Sequence, residues 1–361
     1  MRPLGVLILV VLALGVGGVR TTSGHGSTSQ SYTGGYGPVW SPDGTQIAYI
    51  GPEPNLLAHP PTDGWNHVLV VSVTGGGAPK VVATAPRCRE PAGATSCQPP
   101  VDEVRWARDG RMFYETESTL WSTAGHSAER LGVIGSGGED PFVVSDDGRE
   151  VAFTAPCRCS VEQGTEVQFI SGTGGAVRTL PHPKGTLDSG PSFSPDGTKV
   201  AFSRFFTNKK AKTPYAAQFI EVAGVRGEAA RSLGVNGYNP VFSPDGRWIA
   251  FTGRTGIEIV GAAGGKARTL LPASCCSFDA VYSWSPDSQT LVYTAGDRAG
   301  TVDLSGSKTV FRLPGLRPDG HAPQWSPDGK TIALSATRNG DDLGERVYLI
   351  NADGSGLRRL E

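Results

Sequence analysis

Apolar and polar positions alternate along most of this 361-residue chain in short runs, broken by Gly, Pro, Asp and Ser. The clearest run is Pro240 to Gly253, PVFSPDGRWIAFTG. Val241 and Phe242 end a buried strand, SPDG turns the chain, and Trp248 to Phe251 begin a returning strand of aromatic and aliphatic residues. Pro244 pre-sets φ for a type I turn, Asp245 can bond neighbouring backbone amides, and Gly246 takes the left-handed position that closes the hairpin. The phrase is scaffolding before it is chemistry.

Variants of the phrase recur as PVWSPDGTQIAYI from Pro38, VRWARDGRMFYET from Val104, FVVSDDGREVAFT from Phe142, PSFSPDGTKVAFS from Pro191, YSWSPDSQTLVYT from Tyr282 and PQWSPDGKTIALS from Pro323. Their turns begin at 41, 107, 145, 194, 243, 285 and 326, a spacing of about 40 to 50 residues after one longer first interval. Each hairpin is followed by a third apolar run, such as HVLVVSV from His67, and then a more basic one, such as KARTL. Isolated hairpins are marginal in water, so four strands per unit at this period predict an all-β chain folded as a β-propeller. The expectation is seven four-stranded blades; six is the alternative count.

The phrase W/F-SPDG-x-x-I-A-F, followed by an apolar strand and a Gly-rich turn, resembles the TolB-type, WD-like repeats of bacterial envelope proteins. The resemblance covers roughly residues 36–361 and implies a propeller over that whole range. The TolB propeller itself has six blades, and the second and third copies here depart most from the phrase, Ala107 and Arg108 replacing Ser-Pro and Asp146 replacing Pro. The resemblance says less about function, because the same repeats build periplasmic scaffolds, propeller domains of prolyl-oligopeptidase-like enzymes and some sugar lyases.

Residues 1–20 stand outside this architecture. Arg2, an apolar run from Leu4 to Leu14 and small residues from Gly15 to Gly18 have the layout of an export signal. The apolar stretch is short for a membrane span, which favours cleavage, while the lack of a clear A-x-A site leaves an N-terminal anchor open. No cysteine lies near its end to carry a lipid. Residues 21–35, rich in Ser, Thr and Gly, read as a flexible spacer. The expected location is therefore the cell envelope, periplasmic or extracellular, with membrane contact only through the first segment if it is uncleaved.

With 33 Lys and Arg against 34 Asp and Glu, the chain lacks the basic footprint of a nucleic-acid binder. Six cysteines in an exported chain point to disulfides. All six fall on the face opposite the SPDG turns. Cys88 and Cys97 are expected to close a local loop; Cys157, Cys159, Cys275 and Cys276 can pair locally or with one another. Their C-x-C and C-C spacings are not those of structural zinc sites.

The loops leading into the inner strands share that face and surround the channel mouth. They carry Tyr36, Asp102, Glu103, Glu139, Asp140, Asp188, Tyr238, Asn239, Asp279 and His321. Converging oxygens there suit a small polar ligand or a hard cation such as calcium; the competing reading is solvated loop residues and turn caps. A long second connection holds Phe205, Phe206, Lys209, Lys210 and Lys212, the composition of a protein-docking knob or of an ordinary solvated loop. The turn aspartates recur in every repeat and read as structural.

No G-x-S-x-G or H-E-x-x-H is present. The peptidase activity of some relatives is not expected to carry over, since it needs a hydrolase domain of roughly 200 further residues. The primary expectation is an exported, non-catalytic binding scaffold without a cofactor, whose partner is an envelope or secreted protein or a small polar ligand. The alternative is a lyase or hydrolase acting on sugars or lactones, using channel-mouth carboxylates, His321 and a cation.

Overall fold

In a computed structural model of the chain, each SPDG phrase closes on itself through one small network. The serine hydroxyl donates to the aspartate two residues on, at 2.6 Å from Ser243 to Asp245, and accepts from the amide five residues on, at 3.0 Å from Trp248. The aspartate also accepts from the amide of Arg247 at 3.0 Å, and Gly246 adopts φ 71°. The pattern recurs at Ser41, Ser145, Ser194, Ser285 and Ser326. These bonds hold the Asp43, Asp196 and Asp328 carboxyls below their ordinary range, with the serine hydroxyl the largest cause. The turn aspartates are structural, as expected.

The structure describes residues 35–51, 67–74, 78–84, 101–116, 118–124, 127–134, 142–156, 164–207, 215–273, 280–339 and 344–360. The expected export segment, nearly all of the spacer and all six cysteines lie outside them. Among the described residues there is no α-helix, and the seven hairpins build a β-propeller.

The first repeat is typical: Tyr36–Trp40, Gln46–Gly51, His67–Ser72 and Lys80–Thr84 form an antiparallel sheet in sequence order. Its middle strands are buried almost throughout and its last is mostly exposed, which is the gradient from protected interior to solvated rim. The expectation of one separate four-stranded sheet per repeat needs correction. The described strands group into six hydrogen-bonded sheets, because the fourth and fifth repeats share a seven-stranded one. There the strand Arg231–Phe242 is both the outer strand of one repeat and the inner strand of the next. No loop is inserted between the two roles, so the backbone runs straight on. The last sheet has five strands, its inner edge divided between Leu316–Pro318 and Gln324–Trp325.

Apolar side chains from adjacent repeats interlock into a ring of clusters. One of them, Ile47, Tyr49, Leu69 and Val71 with Ala333, Val347 and Leu349, joins the first repeat to the last. The Gly35 amide donates to the Glu345 carbonyl at 2.7 Å and the Trp40 indole to the Gln324 carbonyl at 3.1 Å across the same seam. Among the described residues the ring closes by face packing and these hydrogen bonds, and no strand before Tyr36 joins the last sheet.

Candidate functional site

The inner strands surround a channel with two connected chambers. The chamber on the SPDG side, about 870 Å³, is collared by Pro42, Pro195, Pro244, Pro286 and Pro327. Arg108 and Asp146 stand in the proline position of the two divergent repeats, and they pair with each other at 3.0 Å. The departures from the repeat phrase are thus mutually complementary.

The chamber on the opposite face, about 930 Å³, carries the reactive groups. Its floor is raised by a backbone device repeated three times. Gly37, Gly190 and Asn239 have φ of 60°, 61° and 53°, each precedes a proline, and each lies within a break in strand register. Asn is among the few non-glycine residues that tolerate this conformation. Hydroxyls of the preceding repeats brace two of these bulges, Thr154 accepting from the Gly190 amide and Ser203 from the Asn239 amide, both at 3.2 Å.

The chamber is chemically lopsided. Around repeats four to six it presents Gly190, Ser192, Asn239, Tyr282 and Ser283, all uncharged. The Tyr282 hydroxyl donates to the Asn239 carbonyl at 2.7 Å, fixing that wall. Around the second repeat it is charged, with three carboxylates and Arg105. Asp102 is exposed there, Glu103 is paired with Arg105, and Glu115 is buried. Burial, with the nearby Asp102 charge, pushes the Glu115 carboxyl up to about 7.

Tyr36 stands between the two acidic groups, its hydroxyl donating to the Val101 carbonyl at 3.0 Å and its ring stacked on His321 at 4.9 Å. Beside His321 lie Asp319 and Glu345, one potential ligand atom from each of the three falling within 4.8 Å of the others. Gly320, at φ 97°, makes the tight bend that lets Asp319 and His321 face the same way. Asp319 Oδ1 accepts from the His321 amide at 2.9 Å, whereas its Oδ2 is buried with no hydrogen-bond donor among the described residues. Burial, and then the Asp319 charge, pushes the Glu345 carboxyl up to about 7.

Of the residues singled out from sequence, Tyr36, Asp102, Glu103, Asn239 and His321 gather around this chamber. Tyr238 is half-buried beside Tyr282 and does not line it. Asp188 is placed elsewhere. It is fully buried, held by two 2.7 Å bonds from Arg204, which also reaches Glu221 at 2.8 Å. Glu139, Asp140, Asp279, Lys209, Lys210 and Lys212 lie outside the described residues. Phe205 is half-buried within the strand Lys199–Thr207, and the partly exposed Phe206 meets Phe219 edge to face at 5.9 Å.

Asp319, Glu345 and Glu115 were not singled out from sequence. Asp319 was legible as the partner of His321 in the DGH triplet. Glu115 was masked by a turn one residue shorter than the others, Trp106 pairing with Met112 where Phe242 pairs with Ile249. Correcting for that puts Glu115 where the first repeat carries Ile50 and the other five carry hydroxyls, Thr154, Ser203, Thr252, Thr294 and Ser335.

The chain is a β-propeller whose repeat phrase resembles the TolB type in sequence. No family model matches it. It is 30% identical over 129 residues to the uncharacterised protein Atu1656 of Agrobacterium fabrum, a match covering 33% of this chain and 41% of that protein's length. Among solved structures it is similar to a puromycin-hydrolysing peptidase of Mycobacterium tuberculosis, with 17% identity and TM-score 0.56 over 93% of this chain and 57% of that one. It is also similar to an oligogalacturonate lyase of Vibrio parahaemolyticus, with 10% identity and TM-score 0.52 over 70% and 75% of the two chains. TolB from Acinetobacter baumannii gives 17% identity and TM-score 0.45 over 86% and 62%. At these identities the likeness is one of fold.

Proposed function

We propose that this protein is an exported envelope propeller that binds a small polar ligand in the larger chamber of its channel. The observation that supports this is the division of that chamber into a carboxylate-rich wall, Asp102 and Glu115 with the Glu103–Arg105 pair, and a neutral wall of hydroxyl and amide groups, Ser192, Asn239 and Ser283. Such a cavity suits a polyhydroxylated ligand that is uncharged or carries an amine. A free carboxylate or phosphate would meet like charge on one side. The test is calorimetry with neutral sugars, amino sugars and uronic acids as separate probes. A neutral or amino sugar should bind, and Asp102→Asn together with Asn239→Ala should weaken it by about tenfold, or about 1.4 kcal/mol. Binding of none of these probes, or binding indifferent to both substitutions, overturns the reading.

One observation favours a second reading, a sugar-directed lyase or hydrolase: His321 faces the chamber with two carboxylates beside it, an imidazole placed for proton transfer. Turnover of an oligosaccharide that is lost in His321→Ala, with ligand binding retained, would move the assignment from binder to enzyme.

A further inference from the structure

We propose that Asp319, His321 and Glu345 form a binding site for one divalent transition-metal ion, Mn2+ or Zn2+, at the seam where the propeller closes. The proposal concerns the same chamber as the ligand reading but does not depend on any organic ligand binding there. Three observations carry it. The three ligand atoms already lie within 4.8 Å of one another, close to the roughly 3–4 Å separations that metal–ligand bonds of about 2.1 Å impose. Asp319 Oδ2 is a buried acceptor with no hydrogen-bond donor among the described residues, and a buried carboxylate oxygen left in that state is costly unless a cation or donor meets it. The donor set is one imidazole nitrogen and two carboxylates, which suits manganese or zinc better than calcium, whose sites are all oxygen.

The placement gives the ion a structural consequence. All three ligands belong to the last repeat, and two of that repeat's contacts with the N-terminal segment run through them. His321 stacks on Tyr36, and the Glu345 carbonyl accepts from Gly35. An ion bridging the loop that bears Asp319 and His321 to the strand start at Glu345 would hold both contacts in place and tighten the ring.

Mn2+ alone is the probe, because thiolates compete poorly for it and the cysteines then stay out of the measurement. The full chain should bind one equivalent by electron paramagnetic resonance titration, and saturating Mn2+ should raise its melting temperature. His321→Ala, Asp319→Asn and Glu345→Gln should each weaken binding by at least about tenfold and abolish the thermal shift. If Glu345→Gln fails to fold by circular dichroism, the other two variants carry the test. No binding below millimolar Mn2+, or binding and stabilisation that persist unchanged in those variants, overturns the proposal. Neither outcome bears on whether a sugar binds the neutral wall.

Discussion

The two faces of the propeller use carboxylates in opposite ways. On the SPDG face an aspartate recurs in every repeat, and in six of them the serine two residues earlier satisfies it locally. On the other face the carboxylates occur once each, and Glu115 and Glu345 are pushed up to about 7 by burial. A group repeated seven times around a ring cannot converge on one ligand, whereas a group that breaks the repeat can. The difference separates scaffold from site without reference to any relative.

A third class tests that division. Asp188 and Glu221 also break the repeat, yet both are buried on Arg204, whose guanidinium lies 5.0 Å from the Phe202 ring. They are scaffold because both are tied by hydrogen bonds to one buried guanidinium. Arg204→Met should therefore produce the largest loss of stability among these variants, about 3–5 kcal/mol, by leaving two buried carboxylates without their cation. Urea unfolding of the variant measures it, and a loss below about 1 kcal/mol would mean that the pair is not closed to solvent.

The fold was legible because each hairpin is spelled out locally: Ser, Pro, Asp and Gly perform separate jobs within one turn, and seven copies fix the period. The site was legible only in part. Tyr36 and His321 stand directly before inner strands, where counting back from the turn finds them. Glu345 stands before the third strand of the same repeat, and only the register of that sheet, Pro318 opposite Ala336 and Ala336 opposite Arg346, brings it to His321. Asp188 sat at a plausible sequence position, but the cation opposite it, Arg204, belongs to the next strand and turns it inward. Sequence position marks the face of a propeller; it does not show which charges are already matched.

Glu115 should respond to pH in the sense opposite to the turn aspartates. Its carboxyl titrates near 7 in the folded chain against an ordinary value of 4.5, so the unfolded chain gives up this proton first as pH rises. Between about pH 4.5 and 7 the folded state holds the extra proton, and stability from this group declines across that window to its full penalty above it. Glu115→Gln should flatten the decline and stabilise the protein at pH 8 by about 2 kcal/mol, less than the full conversion of the shift because the carboxylate faces an open chamber beside Asp102 and the Glu103–Arg105 pair. Denaturant midpoints of both proteins at pH 5 and pH 8 check it. A variant no more stable at pH 8 would place Glu115 among the matched carboxylates.

The smallest effect belongs to the most repeated group. Ser243→Ala removes a 2.6 Å bond to Asp245 and a 3.0 Å bond from the Trp248 amide, but leaves the Gly246 turn and the Arg247 contacts to Asp245 in place. Ser243 itself is fully buried, but Asp245 is exposed and water can take over part of its lost bond, so the expected cost is about 1 kcal/mol. The second repeat already lives without this serine. Ala107 stands there, and Arg111 supports Asp109 through both its amide and its side chain, at 3.0 and 2.8 Å. The comparison can be sharpened by Ala107→Ser, which should give no matching gain, because that turn is one residue shorter and presents no amide five positions on in the same register. A gain of 1 kcal/mol there would show that the serine acts through the aspartate alone.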